Sequence, residues 1–154
     1  MTVPDSFPIP MPRHPITTHT ELSPCAIVPA YKVTAHIVGV VSELFAHVDH
    51  VFVVYDACPD HSGQFLENAL GSPNERLTRI RLEKNLGVGG AVMAGYQAAL
   101  ERGFRILVKV DGDGQMSPSF IPTLIAPLLA GKADYTKGNR FFDPSAFSDA
   151  SPFD

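Results

Sequence analysis

The chain has 154 residues, of which 45% are hydrophobic and 18% charged, with a formal net charge of −4. That composition suits one globular domain with a buried core, and the acidic balance excludes a broad electrostatic grip on nucleic acid, which calls for clustered Lys and Arg. Two cysteines, Cys25 and Cys58, in no CxxC or zinc-ligand spacing, exclude a disulfide scaffold and point to a reducing, cytoplasmic setting.

Residues 1–24 carry Pro4, Pro8, Pro10, Pro12, Pro15 and Pro24, and no basic-then-apolar leader pattern. Repeated proline removes backbone donors and fixes φ, so this stretch is expected as an extended arm, neither helix nor central strand. Short β-branched runs at 26–28, 51–55, 78–82 and 106–110 predict four strands, mostly buried on both faces. Helical spacing predicts helices over 33–46, 64–70, 89–102 and 117–130 between and after them. The third stops at Gly103; the fourth opens on Ser117 as N-cap with Pro118 behind it and stops at Gly131. A fifth strand is expected around Tyr135, and residues 142–154 read as an irregular tail. No apolar run approaches the roughly 20 residues that a membrane-spanning helix needs, which is compatible with attachment at a membrane surface.

Strand and helix in alternation predict an α/β fold, a mostly parallel Rossmann-like sheet with right-handed crossovers and helices on both faces. Ligands in such sheets sit beyond the carboxyl ends of the strands. The polar and glycine-rich segments fall there: Pro29-Ala30-Tyr31, Asp56, Asn85-Leu86-Gly87 and Asp111-Gly112-Asp113-Gly114-Gln115.

The last of these segments carries most of the chemistry. Asp111, Asp113 and Gln115 alternate, and in extended backbone alternate side chains point the same way, so their oxygens would converge. Mg²⁺ or Mn²⁺ prefers such oxygen ligands and completes its shell with substrate phosphates and water. A glycine-rich acidic turn that caps the next helix is the competing reading. An EF-hand is excluded, because Met116 and Pro122 stand where glycine and an acid are required. The glycines from Gly87 to Gly90 either admit an anion to a helix N-terminus or serve tight helix–sheet packing. They form neither a P-loop nor a dinucleotide fingerprint. Asp56 reads as a base or ribose contact or as a turn cap, and Arg140 as a diphosphate ligand or a surface residue. The six histidines show no metal-binding spacing and are each expected to be solvated or partly buried.

In order, the segments AIVPAYKV, VFVVYDACPD, RLEKNLGVGGAVMAGYQAAL, VKVDGDGQMSPSFIPTLIAPL and ADYTKGNRF resemble family 2 glycosyltransferases of the GT-A fold, in the branch of polyprenyl-phosphate sugar transferases. The likeness covers about residues 25–141. It implies that Pro29, Ala30 and Tyr31 border the nucleotide of a UDP- or GDP-linked sugar and that Asp56 meets base or ribose. It further implies that Asp111 lies near the nucleotide, that Asp113 and Gln115 hold the metal, and that Arg140 faces the phosphates. The acceptor it implies is a polyprenyl phosphate or a glycan. Lys32 and Val33 depart from the Asn or acid that commonly follows Pro-Ala-Tyr, and Tyr55 replaces the first of two adjacent aspartates. The resemblance also implies a donor-binding half of a longer fold. A sheet edge is then expected to be covered by a partner chain or a second copy. No residue is assigned as catalytic base. An aspartyl-nucleophile phosphatase and a non-catalytic nucleotide-binding remnant are the rival readings.

Overall fold

The computed structural model describes residues 22–33, 35–56, 62–71 and 74–138. Four parallel strands, β1 (Pro24–Ala30), β2 (His50–Asp56), β3 (Leu77–Leu82) and β4 (Ile106–Lys109), form one sheet in the order β3-β2-β1-β4. The helices are α1 (Ile37–Leu44), α2 (Ser62–Leu70), α3 (Gly87–Glu101) and α4 (Ile121–Leu129), the last preceded by a 3₁₀ turn at Pro118–Phe120.

Alternation along the strands divides the core in two. Ala26, Val28, Val51, Val53 and Val108 pack under α1 and α4 on one face. Cys25, Ile27, Phe52 and Val54 pack under Ala91 and Ala99 of α3 on the other. Burial of a side chain such as Phe52 contributes about 1.5–3 kcal/mol. The α3 layer lies so close that a Cβ on Gly95 would collide with the branch methyl of Ile27 and come within 3.2 Å of Val54. A β-branched strand residue cannot rotate away cheaply, so the helix approaches through a residue with no side chain.

Both predicted glycine stops hold, for a reason visible in the bonds. After α3, Gly103 has φ +89; its N–H reaches Leu100 O at 3.0 Å and that of Phe104 reaches Ala99 O at 3.1 Å. After α4, Gly131 with φ +68 and Lys132 repeat the pattern on Leu128 O and Pro127 O. Each is a Schellman motif, which satisfies the last carbonyls of the helix and needs a left-handed residue. The end of α1 is held differently: Arg76 Nη2 donates to Phe45 O at 2.7 Å and Val48 O at 2.6 Å, with its guanidinium over the Phe45 ring.

Other expectations need correction. Pro24 belongs to β1, where it pairs with Ile106 and its carbonyl accepts the Asp49 N–H; a first strand position tolerates proline. The regular part of α1 begins at Ile37 rather than residue 33, because His36 at φ −120 is not helical. The fourth helix splits, since Pro122 has no N–H and its ring crowds the carbonyl four residues back. Ser117 makes no side-chain cap, its hydroxyl bonding Ser119 Oγ instead. Strand β3 is only partly buried, being the edge strand with Arg79 and Arg81 on it, and charge on an edge deters further pairing. No strand forms around Tyr135 among the described residues; the Thr136 hydroxyl ties that segment to Leu124 O of α4 at 2.7 Å. The proposed arm before Leu22 and the tail from 142 lie outside the described residues.

At the amino ends of the strands, His50 is buried, contrary to expectation. Its Nε2 lies 2.7 Å from Thr78 Oγ1 and 3.1 Å from Arg102 Nη1, and Arg102 also donates to Thr78 Oγ1 at 2.8 Å. A guanidinium can only donate, so Nε2 is the accepting nitrogen of a neutral ring in this arrangement. Phe52 and Phe104 meet edge to face against the same imidazole. Beside them burial pushes the Cys25 thiol up to about 12, against a smaller downward pull from Arg102.

Candidate functional site

Strand β1 has β2 on one side and β4 on the other, so the winding direction reverses between β1 and β4. Crevices outside the carboxyl ends at such a switch point are where open parallel sheets bind ligands. A cleft of about 480 Å³ opens there. The end of β1 and the loop after it supply Pro29, Ala30, Tyr31 and Lys32 to its lining, the turn after β4 supplies Asp111, Gly112 and Asp113, and Asn85, Gly87 and Val88 complete it at and just before the start of α3.

Gly112 presses the two loops together. A Cβ at this position would stand 3.1 Å from Ile37 Cδ1, 3.3 Å from Val33 Cγ2 and 3.4 Å from Pro29 O, so a side chain would wedge the β4 turn off the β1 loop. The strands feeding the loops are bonded nearly to their ends, Val110 N–H donating to Ile27 O at 2.9 Å.

The acidic segment is a turn and not extended backbone, which corrects the geometric reason for convergence. Gly114 has φ +80, and Asp113 Oδ1 accepts the Gln115 N–H at 3.0 Å. This self-bonding Asx turn fixes the Asp113 carboxylate at the cleft and leaves its second oxygen for another partner. Asp111 Oδ1 meets Lys109 Nζ at 2.6 Å.

Two carboxylates on one turn fit a hard divalent cation that takes its remaining ligands from phosphate and water. Among the described residues no three His, Cys, Asp or Glu side chains form a protein cage for a metal. Gln115 is exposed beside the turn and does not line the cleft. Asp56 ends β2, one strand away from the switch point, and Arg140 lies outside the described residues. Sequence reasoning did not assign Lys32 a role at the site. It is the non-glycine residue among those described with positive φ, at +53, and its ammonium stands 5.3 Å from the centre of the Tyr31 ring. A left-handed lysine costs about 1–2 kcal/mol.

At the start of α3, Gly87 has φ +73 and donates its N–H to Asn85 Oδ1 at 2.9 Å. No side chain caps the helix behind it, so first-turn amides remain available to an anion in the cleft. Packing accounts for Gly90, whose Cβ would strike Leu86, whereas a Cβ on Gly89 would meet nothing within 4 Å.

A four-stranded parallel sheet with helices on both faces and a cleft at its switch point defines a Rossmann-like α/β class. More particularly, the chain belongs to glycosyl transferase family 2, whose family pattern matches residues 25–152; its sheet and helices are an α/β fold of the GT-A-like kind. It is 31% identical over 133 residues to a UDP-N-acetylglucosamine–dolichyl-phosphate N-acetylglucosaminyltransferase of Methanococcus voltae, covering 79% of this chain and 53% of that one. It is 30% identical over 130 residues to a polyprenol monophosphomannose synthase of Mycolicibacterium smegmatis, covering 82% and 48% respectively. An undecaprenyl-phosphate mannosyltransferase of Micrococcus luteus is 36% identical over 90 residues, 58% of this chain and 36% of the relative. The chain spans about half the length of the first two relatives.

Proposed function

We propose that this chain is the nucleotide-sugar-binding part of a glycosyltransferase that moves a sugar from a nucleoside diphosphate to a polyprenyl phosphate, with Mg²⁺ or Mn²⁺ at the acidic turn. The observation that carries the reading is that Asp111 and Asp113 line one switch-point cleft together with Pro29, Ala30 and Tyr31, in a chain of family 2. The names of the three relatives share a polyprenyl or dolichyl chain that carries phosphate, and the first specifies a UDP-linked donor.

In this reading Tyr31 and the β1 loop border the nucleotide, while Asp56 serves base or ribose. Asp113, fixed by its turn, and Asp111, steadied by Lys109, would hold the metal, with Gln115 and Arg140 as further ligands of metal and phosphate. The metal supplies charge that offsets the negative charge developing on the leaving group. The free amides at the start of α3 add a partial positive charge from the other wall. An acceptor phosphate oxygen attacks the anomeric carbon as its bond to the diphosphate breaks, and the nucleoside diphosphate leaves with the electron pair. An ionised acceptor has no proton to lose, so this reading needs no general base. Such an acceptor lies in a membrane, which places the cleft at its surface; no helix among the described residues is long and apolar enough to cross it.

Calorimetric titration of UDP and GDP, each with Mn²⁺ and with EDTA, tests the reading on the wild-type chain and on Asp113→Ala. Binding that strengthens with metal is expected, and a loss of about tenfold or more in the variant, the worth of roughly one charge-assisted contact. A folded chain that binds neither nucleotide under either condition would refute it.

A further inference from the structure

We propose that Lys109 is a positioning residue of the acidic turn, whose ion pair with Asp111 keeps the empty turn from taking a divalent cation alone, so that metal and diphosphate enter the cleft together. The proposal rests on the nucleotide-sugar reading of the same cleft and adds to it the residue that governs when the turn accepts metal.

The argument begins with position. Asp111 and Asp113 line the cleft, whereas Lys109 does not. Its ammonium nonetheless reaches Asp111 Oδ1 at 2.6 Å. Lys109 pairs with Ile27 across the β1–β4 ladder, and Val110, the residue between lysine and aspartate, donates its N–H to Ile27 O at 2.9 Å. The sheet therefore fixes the backbone that joins the pair, and the ordering cost is confined to two side chains.

Charge gives the pair its consequence. Of the two carboxylates on the turn, that of Asp111 is already matched by the ammonium, and one oxygen of Asp113 is bonded to the Gln115 N–H. What the turn offers an incoming cation is thus close to a single carboxylate, and no three His, Cys, Asp or Glu among the described residues supply a cage. An ion such as Mg²⁺ gives up water reluctantly and takes its remaining ligands from substrate phosphates. The Lys109 charge repels a lone dication and attracts a diphosphate by the same law, so it selects the two in combination over metal alone.

Exposure keeps the arrangement reversible. The side chains of Lys109 and Asp111 are 36% and 39% exposed, and an ion pair in contact with water is weak. A cation that arrives with phosphates can take the Asp111 oxygen, which a buried pair would withhold.

The test compares wild type, Lys109→Met and Lys109→Arg. Each is titrated with Mn²⁺ alone, followed by electron paramagnetic resonance of the free ion, and with UDP and GDP in EDTA and in Mn²⁺ by calorimetry. Methionine keeps the unbranched stem and removes the charge. It is expected to tighten Mn²⁺ alone about tenfold while the nucleoside diphosphates in EDTA bind no more tightly. Arginine should stay near wild type, and adding Asp111→Asn to Lys109→Met should abolish the gain. Damage to the fold would weaken every ligand, so it cannot imitate a gain confined to metal. Mn²⁺ affinity that Lys109→Met lowers or leaves within twofold overturns the role of Lys109, as does a gain that survives Asp111→Asn or extends to the diphosphates in EDTA. Failure of the wild type and both single variants to bind either nucleotide with Mn²⁺ overturns the parent reading as well.

Discussion

At the amino ends of the strands, Arg102 binds His50 and Thr78, Phe52 and Phe104 fill the space beneath, and Cys25 is sealed among them. At the carboxyl ends the same strands run out into Lys32, Gly87 and Gly114, all at positive φ, around an open cleft with two carboxylates. One end ties His50, Thr78 and Arg102 to one another, whereas the other holds polar groups at a cleft and tolerates strain to place them. Stability and binding are therefore expected to be separable along single strands, a division that substitutions at each end can break or sharpen.

The largest effect is expected from Phe104→Ala. Phe104 is fully buried and touches both aromatic neighbours, so the cavity should cost about 3–5 kcal/mol in urea unfolding. Nucleotide affinity per folded molecule should survive. If affinity falls in parallel with stability, the two ends are coupled and the division is wrong.

Next comes alkaline pH. The Cys25 thiol has its folded value pushed up to about 12 from 9.0, with desolvation as the main cause. Between those values the unfolded chain has released the proton that the folded chain still holds. Stability from this group is thus complete below pH 9 and is lost as pH rises towards 12, by about 1.4 kcal/mol per pH unit. Unfolding of wild type and Cys25→Ala should converge in stability over that window. Parallel curves would mean that the thiol ionises without unfolding.

The smallest effect, and the one of opposite sign, belongs to the cleft. Lys32→Gly relieves the left-handed backbone and should raise stability by about 0.5–1 kcal/mol, after allowance for the greater freedom of glycine in the unfolded chain. The variant should be the tougher protein, with a higher urea midpoint. A lower urea midpoint would show that Lys32 is not strained.

Signals confined to a few neighbouring residues were legible in the sequence. Gly103 and Gly131 each complete a motif within one helical turn, and the β-branched runs lie between turn residues, so the first four strands, their parallel order and both stops could be read directly, whereas the strand expected around Tyr135 does not form among the described residues. The cleft's location followed too, because the order of strands and helices dictates where loops gather. What escaped depends on partners remote in sequence. Arg76 looks like a surface charge until it meets Phe45 O and Val48 O, and His50 looks solvated until Thr78 and Arg102 close over it. The acidic segment was misread for a local reason, since alternation implies convergence only while the backbone stays extended, and Gly114 turns it. Lys32 was noticed as a departure, but its conformation and its stacking on Tyr31 belong to the folded loop.

The pairing of Pro24 with Ile106 places most of the described chain between the partners of the β1–β4 seam. Joining ends so far apart closes a large loop, and its entropy must be lost before the new contacts return anything. The cleft straddles that seam, with one wall on each strand's exit. A ligand bridging the walls is therefore a clasp on the most distant joint in the topology. By linkage, whatever occupies the cleft would hold β4 to β1, and its concentration would become a control on the integrity of the sheet itself.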